Sequence, residues 1–196
     1  MVSCSKDETT QTNIGGPIGF RASLGKSTRS NVTSLTSLNT FYVPALGDGK
    51  NYFTRMQVTS KDNGQTWETA QAQYWPIYEL EFFASNIRTN MNVTLDAKVI
   101  SDFQPHQPQA PVGDQVYQAQ RDLVIAYNKG SRESNEASGV ALNFKHILSQ
   151  IEIHAKNSDP TKEIEVLGVR LCRLGTTATF TFPTEETKQD LEITRN

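Results

Sequence analysis

The chain has 196 residues and a formal net charge of −2, enough length for one domain with a substantial core. Its 19 Lys and Arg are scattered, not gathered into a stripe, which excludes a nucleic-acid footprint. No apolar run approaches the roughly 20 residues that a membrane-spanning helix needs, and the interleaving of Thr, Ser, Asn and Gln with aromatic and β-branched residues leans towards β structure.

Residues 1–13 read as a solvated tether. In "MVSCSKDETTQTN", Cys4 is followed at once by polar and charged residues and cannot be core. It is either a free cysteine or the lipid-modified first residue of a mature lipoprotein, with Val2-Ser3 as remnants of the cleavage box; the apolar segment of a signal peptide does not precede it. "PIGFRASLG" then alternates, with Ile18, Phe20, Ala22 and Leu24 on one face and Gly19, Arg21 and Ser23 on the other, the pattern of a half-buried strand. A Ser/Thr-rich loop carrying Lys26 and Arg29 follows.

"TFYVPA" and "YFTRMQVTS" are predicted strands separated by the turn "LGDGKN". In "KDNGQTWE", Asn63-Gly64 supplies the residues that tolerate positive φ in a tight turn. "WPIYELEFFAS" reads as a strong strand in which Ile77, Glu79, Glu81 and Phe83 alternate with Tyr78, Leu80 and Phe82. The prolines of "SDFQPHQPQAPVGDQ" mark an extended loop. "RDLVIAYN" is a strand and "KGSRESNEASG" a polar loop.

"VALNFKHILSQIEIHA" (140–155) fits either a helical face or two alternating strands whose apolar parity switches. One bulge near Lys145–Leu148 accounts for the switch and favours a long strand bent at His146. "KEIEVLGVRLCRL", where Cys172 reads as a small residue on a strand face, "TATFTF" and "LEIT" complete the chain. Many short strands without βα alternation predict an all-β sandwich.

Catalytic chemistry finds little support. His146 and His154 lie about 26 Å apart along a strand or about 12 Å along a helix, so neither geometry lets them share a metal. His106 has no Cys or carboxylate at ligand spacing, and no metal or cofactor is expected. Glu79 and Glu81 share a strand face about 7 Å apart, a separation better suited to salt-bridged surface glutamates than to a catalytic pair. The sequence holds no G-x-S-x-G, H-E-x-x-H or phosphate-binding glycine loop. "SKDNGQTW" (60–67) matches the Asp-box of sialidase-type propellers, a hairpin in which an aspartate braces the turn, but a single copy cannot populate many blades. Tyr74, Trp75 and Tyr78 form a candidate aromatic binding surface, with burial in a sandwich core as the alternative.

Taken in order, "TSLTSLNTFYVPA" (33–45), "QTWETAQAQYWPIYELEFFAS" (65–85), "QRDLVIAYN" (120–128), "GVALNFKHILSQIEIHAKN" (139–157) and "VLGVRL" (166–171) resemble the fimbrillin family, the pilin-like surface lipoproteins of gram-negative anaerobes that build type V pili. "CSKDE" looks like the acidic export tag that follows the lipidated cysteine of such proteins. The resemblance implies an all-β, transthyretin-like sandwich of two mainly antiparallel sheets with long loops. It spans residues 14–182, after the tether of 1–13, and 183–196 would open a linker or a second domain that is cut off. It also implies a lipid on Cys4, residence at the cell outer membrane and in the fimbrium, and proteolytic cleavage beyond the first strand, for which Arg29 is the candidate. Loss of that strand, Ile18 to Leu24, would open a groove for a strand donated by another pilin subunit. The implied function is thus that of a structural fimbrial subunit with a role in adhesion. The other reading is a non-polymerising surface lipoprotein that adheres to host glycan or protein. Neither is an enzyme.

Overall fold

Alternating apolar residues need a sheet to bury them, and here two sheets share the work. The structure, a computed structural model, describes residues 15–25, 37–105, 121–149, 153–169 and 177–183. Among the described residues the strands are β1 (Phe20–Leu24), β2 (Thr40–Gly47), β3 (Lys50–Thr59), β4 (Glu68–Thr69), β5 (Leu80–Ser85), β6 (Met91–Val93), β7 (Lys98–Phe103), β8 (Val124–Gly130), β9 (Val140–His146) and β10 (Ala178–Thr181), with one short helix, α1 (Arg132–Asn135). The larger sheet runs β1-β9-β8-β5-β2-β3-β4 and the smaller β10-β7-β6. Among the described residues, all strand pairings are antiparallel except that of β1 with β9, which is parallel. The protein is an all-β sandwich.

The larger sheet is buried on both faces. Phe83 and Ile125 on one face pack with Ile100, Phe103 and Phe182 from the side of the smaller sheet. The opposite face presents Phe20, Phe41, Val43, Phe82, Val124, Leu142 and Phe144, closed over by Trp75, Leu38 and the partly buried Trp67 and Tyr78. This second cluster is aromatic-rich, and Phe41 contacts Phe20, Trp67 and Phe144 with ring centroids 6.1, 4.9 and 5.1 Å away. Such tilted and edge-on pairs each add about 0.5–1.5 kcal/mol beyond the area they bury.

The expected alternation of residues 18–24 holds: Ile18 and Phe20 are buried, Ala22 and Leu24 pack against the core, and Arg21 and Ser23 are exposed. The aromatic strand starts at Leu80 rather than before it, and Ile77 stands 82% exposed. Val140 to His146 form a strand, not a helix, with Val140, Leu142 and Phe144 inward. After His146 the chain leaves the sheet, and Ile147 and Leu148 pack on the other core cluster. That change of cluster is the parity switch; the long bent strand is not formed, since residues 153–155 are exposed and outside any strand. The strand expected over "KEIEVLGVRLCRL" is likewise absent from its described part: residues 163–169 carry no pairing, and Leu167 is 88% exposed. Helix α1 lies in the polar loop, capped by Ser131, whose side chain accepts from the Ser134 N–H. The β6–β7 hairpin is a pairing that the sequence pattern does not announce, since β6 has only three residues.

Candidate functional site

The N-terminal strand is held from two sides. Successive residues of an extended chain point their backbone groups to opposite edges. Toward one edge the Ile18 N–H donates to Gln73 O at 2.7 Å and Gly16 O accepts from the Trp75 N–H at 3.1 Å, with Pro17 bridged antiparallel to Tyr74. Toward the other, Gly19 O accepts from the Val140 N–H and the Gly25 N–H donates to Phe144 O, each at 2.9 Å. Between those bonds β1 pairs with β9 over five residues, from Phe20↔Val140 to Leu24↔Phe144. The Ser23 hydroxyl donates to Asn143 Oδ1 across the same ladder.

β9 depends on this pairing. Its ladder to β8 is confined to Val124↔His146 and Ile125↔Lys145, and farther along the Asn128 side chain donates to Ala141 O at 2.8 Å. The main backbone partner of β9 over residues 140–144 is therefore β1. On the core side, Phe20 is 6% exposed and stands edge-on to Phe41 and to Phe82, the latter at 5.6 Å and 85°. Removing residues 15–24 would take the β1 ladder from residues 140–144 of β9 and the bridge from residues 73–75 together, and open a groove floored by Phe41, Phe82 and Trp75.

Two glycines form the entrance. A Cβ on Gly15 would lie 2.6 Å from Trp75 Cβ, and one on Gly16 would lie 2.9 Å from Glu136 Oε1. That carboxylate accepts the Gly16 N–H, and its other oxygen receives the Arg132 Nε–H at 3.2 Å. The Gly16 amide, and after it Arg132, hold the Glu136 carboxyl below its ordinary pKa, so it stays an anionic acceptor. Residues 73–75 are steadied by the Tyr52 phenol, which donates to Tyr74 O at 2.6 Å. Burial, with Tyr78 nearby, pushes that phenol's pKa up and keeps it a donor.

The other sequence candidates resolve individually. Ile18, Phe20, Ala22 and Leu24 come together in the strand just described. Cys4, Arg29, His106 and Cys172 lie outside the described residues. Trp75 is 0% exposed, which corrects its place in an aromatic binding surface: it belongs to the core, leaving Tyr74, 44% exposed, and Tyr78, partly buried edge-on to Tyr52. Nothing in the neighbouring sequence marks Trp75 as the buried member of the three. Glu79 and Glu81 flank Lys129 Nζ at 3.9 and 3.4 Å, a surface charge cluster. His146 Nδ1 lies 2.7 Å from Asp122 Oδ2, and His154 is exposed. No group of three or more metal-ligating side chains occurs among the described residues. In the Asp-box hairpin, Asp62 accepts from the Ser60 hydroxyl and the Thr66 N–H, each at 2.8 Å, and from the Thr66 hydroxyl. The carboxylate braces a turn whose φ is positive at Asn63 and Gly64.

The sequence profile described as fimbrillin-like matches residues 26–194. No curated protein and no solved structure matches the chain.

Proposed function

The chain belongs to the fimbrillin-like family, whose members are pilin-type surface proteins of fimbriae, and from that premise we propose that it is a structural subunit that polymerises by strand exchange. In this reading residue Cys4 carries a lipid that brings the precursor to the outer membrane. A trypsin-like protease cuts after Arg29, β1 leaves, and a strand from the next subunit takes its place. Adhesion follows from the assembled fibre.

The observation that carries the reading is the position of β1. It is a parallel edge strand, it closes an aromatic core with Phe20, and it is the main backbone partner of β9. A vacated site of this kind is a template for β-augmentation, with main-chain bonds for affinity and side-chain pockets for selectivity. Each large apolar side chain reinserted would contribute roughly 1.5–3 kcal/mol. The reading as a non-polymerising, glycan-stacking adhesin loses support because Trp75 lies in the core.

Limited trypsin digestion tests the proposal. The expected first product is a fragment ending at Arg29, and the cut protein, freed of it, takes a labelled peptide of residues 15–25 into the vacated slot, read by fluorescence anisotropy. First cutting elsewhere, or a cut protein that binds no such peptide after release of the fragment, overturns it.

A further inference from the structure

We propose that the slot holding residues 15–24 imposes a sequence requirement on any strand that fills it: two residues without side chains at the entrance, then large apolar side chains two and four positions after the second. The requirement rests on the strand-exchange reading above and adds to it the chemistry of the partner, an extended polypeptide segment that opens with Gly-Gly.

Gly15 is the steric stop. A Cβ there would meet Trp75 Cβ at 2.6 Å and Trp75 carbonyl O at 2.9 Å, closer than real Cβ atoms approach. Trp75 cannot retreat. Its N–H is committed to Gly16 O, and the carbonyl before it accepts the Tyr52 phenol. Its indole stands edge-on to Phe82 at 5.9 Å and lies over Gly130, where a Cβ would come within 3.1 Å of the ring. Close-packed surroundings of this kind transmit a clash instead of absorbing it.

Gly16 is the anchor. A Cβ there would press on Glu136 Oε1 at 2.9 Å, the oxygen that accepts the Gly16 N–H. A carboxylate can swing aside, so the cost is the bond and not an immovable clash. The two positions together fix the register. Sliding the strand by one residue in one direction brings Ile14 to the stop; in the other it brings Pro17, which has no N–H, to the anchor. Gly-Gly occurs once in this sequence, at 15–16, so no other segment of it meets the requirement.

Hydrogen–deuterium exchange on the full chain tests the stop. Gly15→Ala is expected to raise exchange at the Ile18, Trp75 and Val140 amides about tenfold or more while β5 and β8 keep their protection. Gly19→Ala, where a Cβ has its nearest neighbour at 3.9 Å, is expected to leave all three amides unchanged. Unchanged protection in Gly15→Ala, equal loosening in Gly19→Ala, or loss of protection throughout β5 and β8 overturns the stop.

The Gly15→Ala chain, with its own strand loosened, then serves as the acceptor for labelled peptides. A peptide of residues 15–25 is expected to bind at least about tenfold more tightly than the same peptide carrying Gly15→Ala. Equal binding of the two removes the glycine requirement and leaves strand exchange standing; no binding of either removes both.

Discussion

Trp75 donates its backbone N–H at 3.1 Å to the carbonyl of Gly16, 59 positions earlier in the sequence. That bond ties the entry to the aromatic strand β5 to the first described segment of the chain. Because the same tryptophan is wholly buried, the N-terminal segment is fastened to a fixed part of the core. The opposite edge of the segment carries β9. One short segment thus joins β9, in the larger sheet, to residues 73–75, which lie outside any strand.

Phe20→Ala should cost about 3–5 kcal/mol of unfolding free energy, as for other buried aromatic truncations. Phe20 contacts Phe41 and Phe82 edge-on, so its loss leaves a void between β2 and β5 that neither ring can fill by rotation alone. Arg21→Ala, one residue on and exposed, should change stability by no more than about 0.5 kcal/mol. Urea unfolding of the two variants checks the pair; similar midpoints would contradict the inward placement of Phe20.

Trp75 and Trp67 should report separately on the strand. Trp75 is fully buried and Trp67 only partly so. In Trp67→Phe, the remaining fluorescence should emit in the blue and resist acrylamide; in Trp75→Phe, quenching should be stronger. Adding Phe20→Asp should redden and expose the Trp75 signal with little change in that of Trp67. Strong quenching in Trp67→Phe alone would place Trp75 at the surface.

How much of this was readable beforehand follows from the range of each signal. The alternation of Ile18, Phe20, Ala22 and Leu24 is a local pattern with period two, and β1 keeps its parity. Val140, Leu142 and Phe144 announce β9 in the same way. Periodicity says which residues could be buried and is silent on whether a partner strand is present, which is why residues 163–169 alternate and yet lie exposed. Helix α1 buries no residue and so carries no apolar stripe to read. The burial of Trp75 and the need for Gly15 are long-range facts, each made by the other. No window of local sequence contains both.

Asp122→Ala should destabilise the protein by about 1–3 kcal/mol, the cost of stripping partners from buried polar groups. Asp122 holds two groups at once: its Oδ2 meets His146 Nδ1 at 2.7 Å and its Oδ1 accepts the Leu123 N–H at 2.8 Å. Both side chains are about nine-tenths buried, at 9% and 12% exposure. Asp122→Asn keeps an acceptor for Leu123 and should cost less. Thermal or urea unfolding ranks the variants, and equal stability of Asp122→Ala and the unaltered chain would show that the pair is dispensable.

The Asp62 carboxyl should titrate well below the usual range. The Thr66 hydroxyl, and after it the Thr66 amide and the Ser60 hydroxyl, bond the ionised form and lower its pKa from 3.8 to about 2. A depressed folded-state pKa stabilises the fold fully above the unfolded value, and that contribution disappears as pH falls through the folded one. The hairpin should therefore keep its bracing at pH 4 and lose it progressively between about 4 and 2. NMR titration of the Thr66 amide reads this directly, with a midpoint expected near 2. Thr66→Val removes the largest cause and should move the midpoint up towards that of an ordinary aspartate. Asp62→Asn should abolish the transition. A midpoint at the ordinary value in the unaltered chain would mean that the hydroxyl bonds do not favour the carboxylate, and the turn would then rest on Asn63 and Gly64 alone.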